Sequence, residues 1–346
     1  MGKLRVGVVG VGHLGQHHAR IYAGLDDVEL VGVADKSAKR AEEVAARHGV
    51  PFYGEPTDLI GRADAVSVAT PTEFHHAIAS KYLEAGIPCL VEKPMCKTVE
   101  EARALVEIAK RKQVPLQIGH IERFNPAVVA IKPMIEDPRF ISCDRISPFS
   151  FRSADVGVVL DLMIHDLDIV LHFCKSPVVN VEATGVPVIA KTEDIAYARL
   201  KFEDGAMAVL NTSRVSIKKM RKIRIFQRHG YISLDYDARQ ALVYKKRPGF
   251  EFGEADLKAI DTTQPPEALQ AIIFSKFLEL EHVSMEAEEP LKLELASFVD
   301  AVRNGKEPVV PGEAGLRAMV AADQIVASLN AAIESEKARL RGPRAG

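Results

Sequence analysis

The sequence predicts a two-domain α/β protein, with a doubly wound parallel sheet first and an α+β domain on a large, mostly antiparallel sheet after it. Three observations predict this. Short apolar runs alternate with helical patterns as far as residue 119. The glycine-rich stretch Gly10-Val11-Gly12-His13-Leu14-Gly15 joins the first apolar run to the first helical pattern. Residues 178–246 then hold several β-rich runs and few helical ones. A chain of 346 residues is also long for one core.

The elements follow in order. Leu4–Val9 reads as a strand buried on both faces, because it is apolar without alternation. A helix is predicted from about His13 to Leu25, a strand over Val28–Ala34 and a helix over Ala38–His48. Ala65–Ala69 is a strand, Glu73–Ala85 a helix and Pro88–Val91 a strand. Thr98-Val99-Glu100-Glu101 is a capping box, which starts a helix running to about Lys112. Leu116–Gly119 is a further strand. Such β-α repeats imply parallel strands with right-handed crossovers. Ligands bind outside the carboxyl ends of these strands, so the loops after Val9, Ala34, Ala69 and Val91 should share one crevice.

In the second part, residues 196–202 alternate, turn at Glu203-Asp204-Gly205 and continue as Met207–Asn211, a hairpin signal. Ile223–Phe226, Tyr231–Leu234 and Ala241–Tyr244 extend an antiparallel sheet. Residues 247–285 pattern weakly, include Pro265-Pro266, and read as a long active-site or subunit-contact excursion. Leu291–Asn304 and Gly315–Ile333 are amphipathic helices. The division expected is residues 1–122, residues 123–336, and a basic, disordered tail over 337–346.

Composition excludes some classes. The net charge of −2 gives no global attraction to nucleic acid or anionic membranes. No apolar run approaches the roughly 20 residues of a membrane span. Met1-Gly2-Lys3-Leu4-Arg5 leads directly into a strand, so no signal peptide is expected. The four cysteines lack CxxC spacing and read as free thiols of a cytoplasmic protein.

Gly10–Gly15 spells GxGxxG, a weak signal by itself. Here it lies between strand and helix, and Asp35 ends the next strand 20 residues after Gly15. That context makes it the Rossmann dinucleotide fingerprint rather than a turn of another doubly wound fold. Gly10 permits the tight turn, Gly12 the approach of a pyrophosphate, and Gly15 close helix packing. Val11, His13 and Leu14 complete the loop. Asp35 can accept from the adenosine ribose hydroxyls and would repel a 2′-phosphate, favouring NAD over NADP. Lys36, Ser37, Lys39 and Arg40 follow it and could cradle that phosphate.

Glu92-Lys93-Pro94 follows a strand end and faces the same crevice, where Pro94 favours an extended Lys93. A second cluster is Asp161-Leu162-Met163-Ile164-His165-Asp166-Leu167-Asp168. On a helix, Asp161, His165 and Asp168 share one face at i, i+4 and i+7. A histidine among carboxylates can serve as a base near neutral pH. A structural histidine ranks second and a metal site third, since no further ligand set has matching spacing. The basic run from Arg214 to Arg224 reads as a solvated strand face rather than a diphosphate site. His17 and His18 read as surface residues.

Together these motifs resemble the glucose-fructose oxidoreductase/inositol dehydrogenase (Gfo/Idh/MocA) family of NAD(P)-dependent sugar oxidoreductases, along the whole chain. The matching features are Gly10–Gly15, Thr70-Pro71 with His75, Glu92-Lys93-Pro94, and Asp161 with His165. The segment from Glu289-Pro290-Leu291 to Gly315-Leu316-Arg317-Ala318 also fits. The resemblance implies that Lys93 positions the substrate hydroxyl and the nicotinamide of the cofactor, and stabilises developing negative charge on oxygen. His165 would move the hydroxyl proton, with Asp161 orienting it. Thr70, Pro71, His75 and Glu92 would belong to the cofactor crevice. The second domain would be an open-faced sheet making subunit contacts, in a homodimer or homotetramer.

Residues 118–126 and 159–168 further resemble the branch acting on UDP-N-acetylglucosamine, which oxidises the sugar 3-hydroxyl. On that resemblance, Arg123, Asn125 and Asp168 become substrate candidates. Many relatives carry two arginines where this chain has Glu122-Arg123, which leaves the role of Glu122 open. Alternatives are an inositol or free-sugar dehydrogenase, an enzyme that recycles its hydride within a net hydrolysis or elimination, and a non-enzymatic NAD(H) sensor. A sensor could dispense with Lys93, Asp161 and His165.

Overall fold

A computed structural model describes residues 2–150, 156–247, 260–276, 278–285 and 288–341. The first sheet contains β1 (Leu4–Val9), β2 (Val28–Ala34), β3 (Phe52–Tyr53), β4 (Ala65–Val68), β5 (Cys89–Glu92) and β6 (Leu116–Gly119). All its neighbours are parallel, in the order β3-β2-β1-β4-β5-β6. The order reverses between β1 and β4, which opens a crevice at the carboxyl ends of those strands. Strands β4, β5 and β6 are buried at every position, because helices cover both faces; hence they are largely apolar without alternation, and their polar Ser67, Glu92 and Gln117 are buried too.

Thr98 caps the helix Val99–Lys112 by accepting from the Glu101 amide at 3.2 Å. The Glu101 carboxylate returns to the Lys97 amide, one residue before the cap. The first predicted helix starts at Gly15, since residues 10–14 form the loop itself. The third starts at His75, after a separate turn over Thr72–Phe74 that follows Pro71.

The second sheet contains β7 (Pro138–Ile146), β8 (Val178–Val186), β9 (Ile195–Phe202), β10 (Met207–Ser213), β11 (Met220–Gln227), β12 (Gly230–Asp235), β13 (Gln240–Lys246) and β14 (Leu278–Val283). Their order is β14-β13-β12-β11-β7-β10-β9-β8, antiparallel except for the pair β7–β10. One face buries the alternating residues Ala196, Ala198, Leu200 and Phe202 of β9. The opposite face carries a row of rings: Phe140, Phe226, Tyr231 and Tyr244, with centroids 5.7, 5.4 and 4.1 Å apart in succession. The sheet is open-faced, as the family resemblance implies.

Three expectations change. Part of 247–285 is regular: Pro266–Lys276 is helical, and β14 adds an edge strand to β13. Its alternation of Leu278 and Leu280 with Glu279 and Glu281 is a half-buried strand pattern too short to stand out. Residues 248–259 of that segment lie outside the described residues. The last helix runs from Gly312 to Arg341, so residues 337–341 are helical; 342–346 lie outside the described residues. Within that helix, Gly312–Ile333 is long and apolar enough to cross a membrane, contrary to the sequence reading. In this fold it packs along β8 and on the helices Val99–Lys112 and Ile164–Phe173.

The chain also returns to the first domain. Leu291, Leu295, Phe298 and Val299 of the helix Pro290–Asn304 share a core with Val6, Val8 and Tyr22. The Ile118 amide then donates to the Val310 carbonyl at 3.0 Å. A division at residue 122 separates the two sheets, while 290–311 is built onto the first.

Candidate active site

The glycine loop is shaped by sterics. Gly10 has φ +85°, and a Cβ there would lie 2.6 Å from the Thr70 amide nitrogen. A Cβ at Gly15 would overlap the Gly10 carbonyl, so only glycine lets the helix Gly15–Ala23 start so close to β1. Gly12 instead faces open space, with Arg40 Nη1 as its nearest neighbour at 3.8 Å. A phosphate can therefore approach the main chain there, at the positive end of the helix.

Asp35 locks this loop to β2. Its Oδ2 accepts from the Val11 amide at 2.9 Å and its Oδ1 from the Ser37 amide at 2.8 Å. Arg40 Nη1 stands 3.8 Å from Oδ2. His13 and Leu14 are exposed at the mouth of the loop.

The next two loops are tied together by His75, which is buried. Its Nε2 meets the Thr70 carbonyl at 2.7 Å and its Nδ1 the Pro94 carbonyl at 3.0 Å. Burial holds this imidazole below the usual histidine range, against the pull of both carbonyls. His75 thus shapes the crevice from beneath. Pro71 starts the turn that leads to it, and Thr70 Oγ1 is buried with no partner among the described residues.

Glu92 and Lys93 point apart. Glu92 is buried; its Oε1 meets His18 Nε2 at 3.1 Å and its Oε2 accepts from the Lys93 amide at 3.2 Å. Burial pushes this carboxyl up, but the His18 bond and the nearby Lys93 hold it below its usual range. His18 is fully buried, so the surface reading fails for it: its ring turns inward to meet Glu92 at the end of β5. Lys93 reaches across the crevice, where Nζ donates to the Asp161 carbonyl at 2.8 Å and lies 3.9 Å from Asp161 Oδ1.

Asp161 belongs to a π-helical turn, Val159–Met163, that runs into the helix Ile164–Phe173. Such turns shift side chains off the α-helical spacing. The carboxylates of Asp161 and Asp168 accordingly serve different partners. Asp161 faces Lys93, whereas Asp168 is buried in a bidentate pair with Arg123, at 2.5 and 2.8 Å. His165 is half-buried, and its Nδ1 is enclosed without a partner. No bond joins it to Asp161 among the described residues. Burial, followed by the charges of Lys93 and Arg145, holds its imidazole well below the usual range. The ring is therefore neutral near pH 7, the state a base requires.

The substrate candidates Arg123, Asn125 and Asp168 are all buried within the protein's own polar contacts. Asn125 caps the helix Pro126–Ile131 through the Ala127 amide and donates to Glu122. Glu122 in turn accepts from Arg145 at 3.0 Å, and Arg145 forms a bidentate pair with Asp166 at 2.7 and 2.9 Å. Glu122 thus has a local arginine as its partner. Arg145 sits on β7 and Glu294 on a helix 149 residues further along; the sequence reading singles out neither side chain. Arg214, expected on a solvated strand face, is buried against Asp194, while Lys219 and Lys222 do pair on the surface with Asp237 and Asp235. Among the described residues there is no group of histidines, cysteines and carboxylates that could hold a metal ion.

A glycine cradle facing a lysine and a neutral histidine across a switch-point crevice defines the class of nicotinamide-dependent oxidoreductases acting on CH–OH groups. Comparison with known proteins agrees. The family model described as "Oxidoreductase family, NAD-binding Rossmann fold" matches residues 4–120, and that of the GFO/IDH/MocA C-terminal domain matches residues 137–233. The chain belongs to the Gfo/Idh/MocA oxidoreductase family. It is 34% identical to UDP-N-acetylglucosamine 3-dehydrogenase of Acidithiobacillus ferrooxidans over 96% of this chain and 99% of the relative. A solved structure of that enzyme superposes with TM-score 0.84 over the same shares. Inositol 2-dehydrogenase of Rhizobium meliloti is 25% identical over 94% of this chain and 97% of its own.

Proposed function

We propose that this protein oxidises the 3-hydroxyl of UDP-N-acetylglucosamine, with NAD as hydride acceptor. The observation that carries the chemistry is the meeting of Lys93 with Asp161, one turn before a neutral His165. The near full-length similarity to the Acidithiobacillus enzyme supports the substrate.

NAD fits the residues present. Gly12 leaves the main chain open to a pyrophosphate at the positive end of the helix Gly15–Ala23, and Thr70 Oγ1 lacks a partner among the described residues. Asp35 favours NAD over NADP because its carboxylate repels a 2′-phosphate. When bound, NAD accepts the hydride leaving the sugar carbon. His165 takes the hydroxyl proton, which its neutral state allows. Lys93 holds the hydroxyl oxygen and offsets the negative charge that develops there. Asp161 fixes Lys93 rather than His165. Binding of the remote uridine diphosphate would hold the ring in place for transfer.

A sensor has no need of this assembly, which favours an enzyme. The row from Phe140 to Tyr244 supplies an apolar surface for pairing with a second copy, in a dimer or tetramer. Four unpaired buried cysteines suit a cytoplasmic protein.

The test is incubation of purified protein with NAD and UDP-N-acetylglucosamine beside an aminotransferase that consumes the ketone. Mass spectrometry should show loss of two hydrogens from the sugar. Ketone formation only from inositol or a free hexose would leave the family assignment standing and refute the nucleotide-sugar substrate.

A further inference from the structure

Among the described residues, the helix that carries Asp161 and His165 begins without a side-chain cap from its own segment. Val156-Gly157-Val158-Val159 offers no side chain that can accept from its first amides, and no neighbouring side chain among the described residues does so. The acceptors come from Glu193, 34 residues further along. Its carbonyl accepts from the Val158 amide at 3.0 Å, and its carboxylate accepts from the Val159 amide at 3.3 Å. The carboxylate lies over Gly157 so closely that a Cβ there would overlap it. A negative charge at this end also suits the helix dipole.

Glu193 is itself held. The adjacent Asp194 is fully buried; its Oδ2 accepts from the amides of Val188, Ile189 and Ala190 at 2.7, 2.5 and 2.9 Å. Its Oδ1 accepts from Arg214 Nε at 2.8 Å, and Arg214 Nη1 donates to the Val156 carbonyl at 2.6 Å. The loop and β10 thus grip both sides of Gly157. Two residues past the capped Val159 comes Asp161, whose carbonyl receives Lys93.

We infer that Glu193 is a positioning residue, a cap supplied from a distant loop that sets where Asp161 and His165 meet Lys93. The Arg214–Asp194 pair is the brace that holds Glu193 in place. The inference rests on the reading of Lys93 and His165 as the reacting pair, and it concerns no particular sugar.

The test compares Glu193→Ala and Glu193→Gln with wild type, using whichever alcohol the wild-type protein oxidises. The alanine variant should lose about 10-fold to 100-fold in kcat, the scale of a small misplacement of reacting groups. Its NAD affinity should be unchanged. Glu193→Gln retains an acceptor and should recover most of the loss, which a bulk stability effect would not produce. A second readout needs no substrate. In protein labelled with ¹⁵N-histidine, the His165 ring signal, assigned with His165→Gln, should titrate closer to the ordinary histidine range in Glu193→Ala than in wild type. Should the alanine variant not fold, Gly157→Ala displaces the carboxylate while keeping every group in the chain, and it should show the same loss and the same shift. Folded variants with kcat within twofold of wild type and an unmoved His165 titration would overturn the inference. If wild type oxidises inositol but no nucleotide sugar, the substrate reading fails while this test proceeds. If it oxidises nothing, the titration alone decides.

Discussion

Lys93 Nζ lies 2.8 Å from the main-chain carbonyl oxygen of Asp161 and 3.9 Å from its carboxylate. The two residues are 68 positions apart and come from different domains: Lys93 follows the fifth strand of the parallel sheet, and Asp161 sits in the π turn of the second domain. Among the described residues, the hydrogen bond that links the two domains at this point has a backbone acceptor. The lysine is therefore held by the shape of the turn more than by the identity of the aspartate.

This separates the expected effects of substitution. Lys93→Ala and His165→Ala should each reduce turnover by ~10²–10⁴, the usual scale for positioned acid–base groups. Asp161→Asn keeps the carbonyl and should cost roughly tenfold or less. Affinity for NAD, measured by fluorescence titration, should stay close to wild type in all three. An Asp161→Asn loss equal to that of Lys93→Ala would mean that the carboxylate, not the carbonyl, does the holding.

The acidic side of the pH profile belongs to His165. Burial and the neighbouring charges of Lys93 and Arg145 hold its imidazole well below 6.5. A base is lost when it gains a proton, so kcat/KM should stay level as pH falls through 6.5 and decline only well below it. His165→Gln should remove that decline along with most of the activity. A midpoint at or above 6.5 in the wild-type protein would contradict the burial seen here.

Much of this was legible in the sequence, for reasons that particular residues make clear. The parallel sheet showed because strands such as Leu4–Val9 and Val28–Ala34 are mostly buried and leave short, largely apolar runs. The glycine loop showed because Gly10 and Gly15 meet steric demands no other residue satisfies. Strand β7 did not show, although it lies in the middle of the second sheet, because its buried face of Ile141, Cys143 and Arg145 ends in a charged residue where alternation calls for an apolar one. The pairing of His18 with Glu92, and of Arg145 with Glu122 and Asp166, did not show either, since it joins residues from separate elements. Asp161 and His165 were found as a motif, but the π turn that sends Asp161 to Lys93 leaves no mark in apolar spacing.

Cofactor choice turns on Asp35, which has two tasks. Asp35→Ser removes the carboxylate that a 2′-phosphate would meet and also releases the Val11 amide. Each charge-assisted hydrogen bond lost is worth ~1.5–3 kcal/mol, so NAD should bind at least about tenfold more weakly. Arg40, which stands beside Asp35 and Gly12, would then be free to meet the phosphate of NADP. Discrimination should shrink in the variant, as judged by titrating both cofactors. Tighter binding of NADP than NAD by the wild-type protein would refute the assignment.

Glu294 should make the protein less stable as pH rises. It is fully buried, and neither carboxylate oxygen has a hydrogen-bond partner among the described residues. Burial, followed by the charges of Glu92 and Asp168, raises its pKa well above 4.5. Glu92 has His18 and the Lys93 amide, so of the two glutamates it is Glu294 that keeps the proton. In the unfolded chain Glu294 ionises near 4.5. Above that pH the folded state binds one proton more than the unfolded state, and stability falls as pH rises, by up to about 1.4 kcal/mol per pH unit. The contribution is fully present below 4.5 and is lost toward the raised folded value. Glu294→Gln cannot titrate. At pH 5 it should be somewhat less stable than wild type, since its amide brings two N–H donors into a site that satisfies few, at about 1–3 kcal/mol. By pH 8 that deficit should have vanished or reversed. The buried histidines with lowered values, His75, His120 and His172, tilt stability the other way, because the unfolded chain takes up their protons first as pH falls. They are common to both proteins and cancel in the difference. Urea unfolding of the pair at several pH values from 5 to 8 measures it directly, and a stability difference that stays constant over that range would show that Glu294 is ionised in the fold.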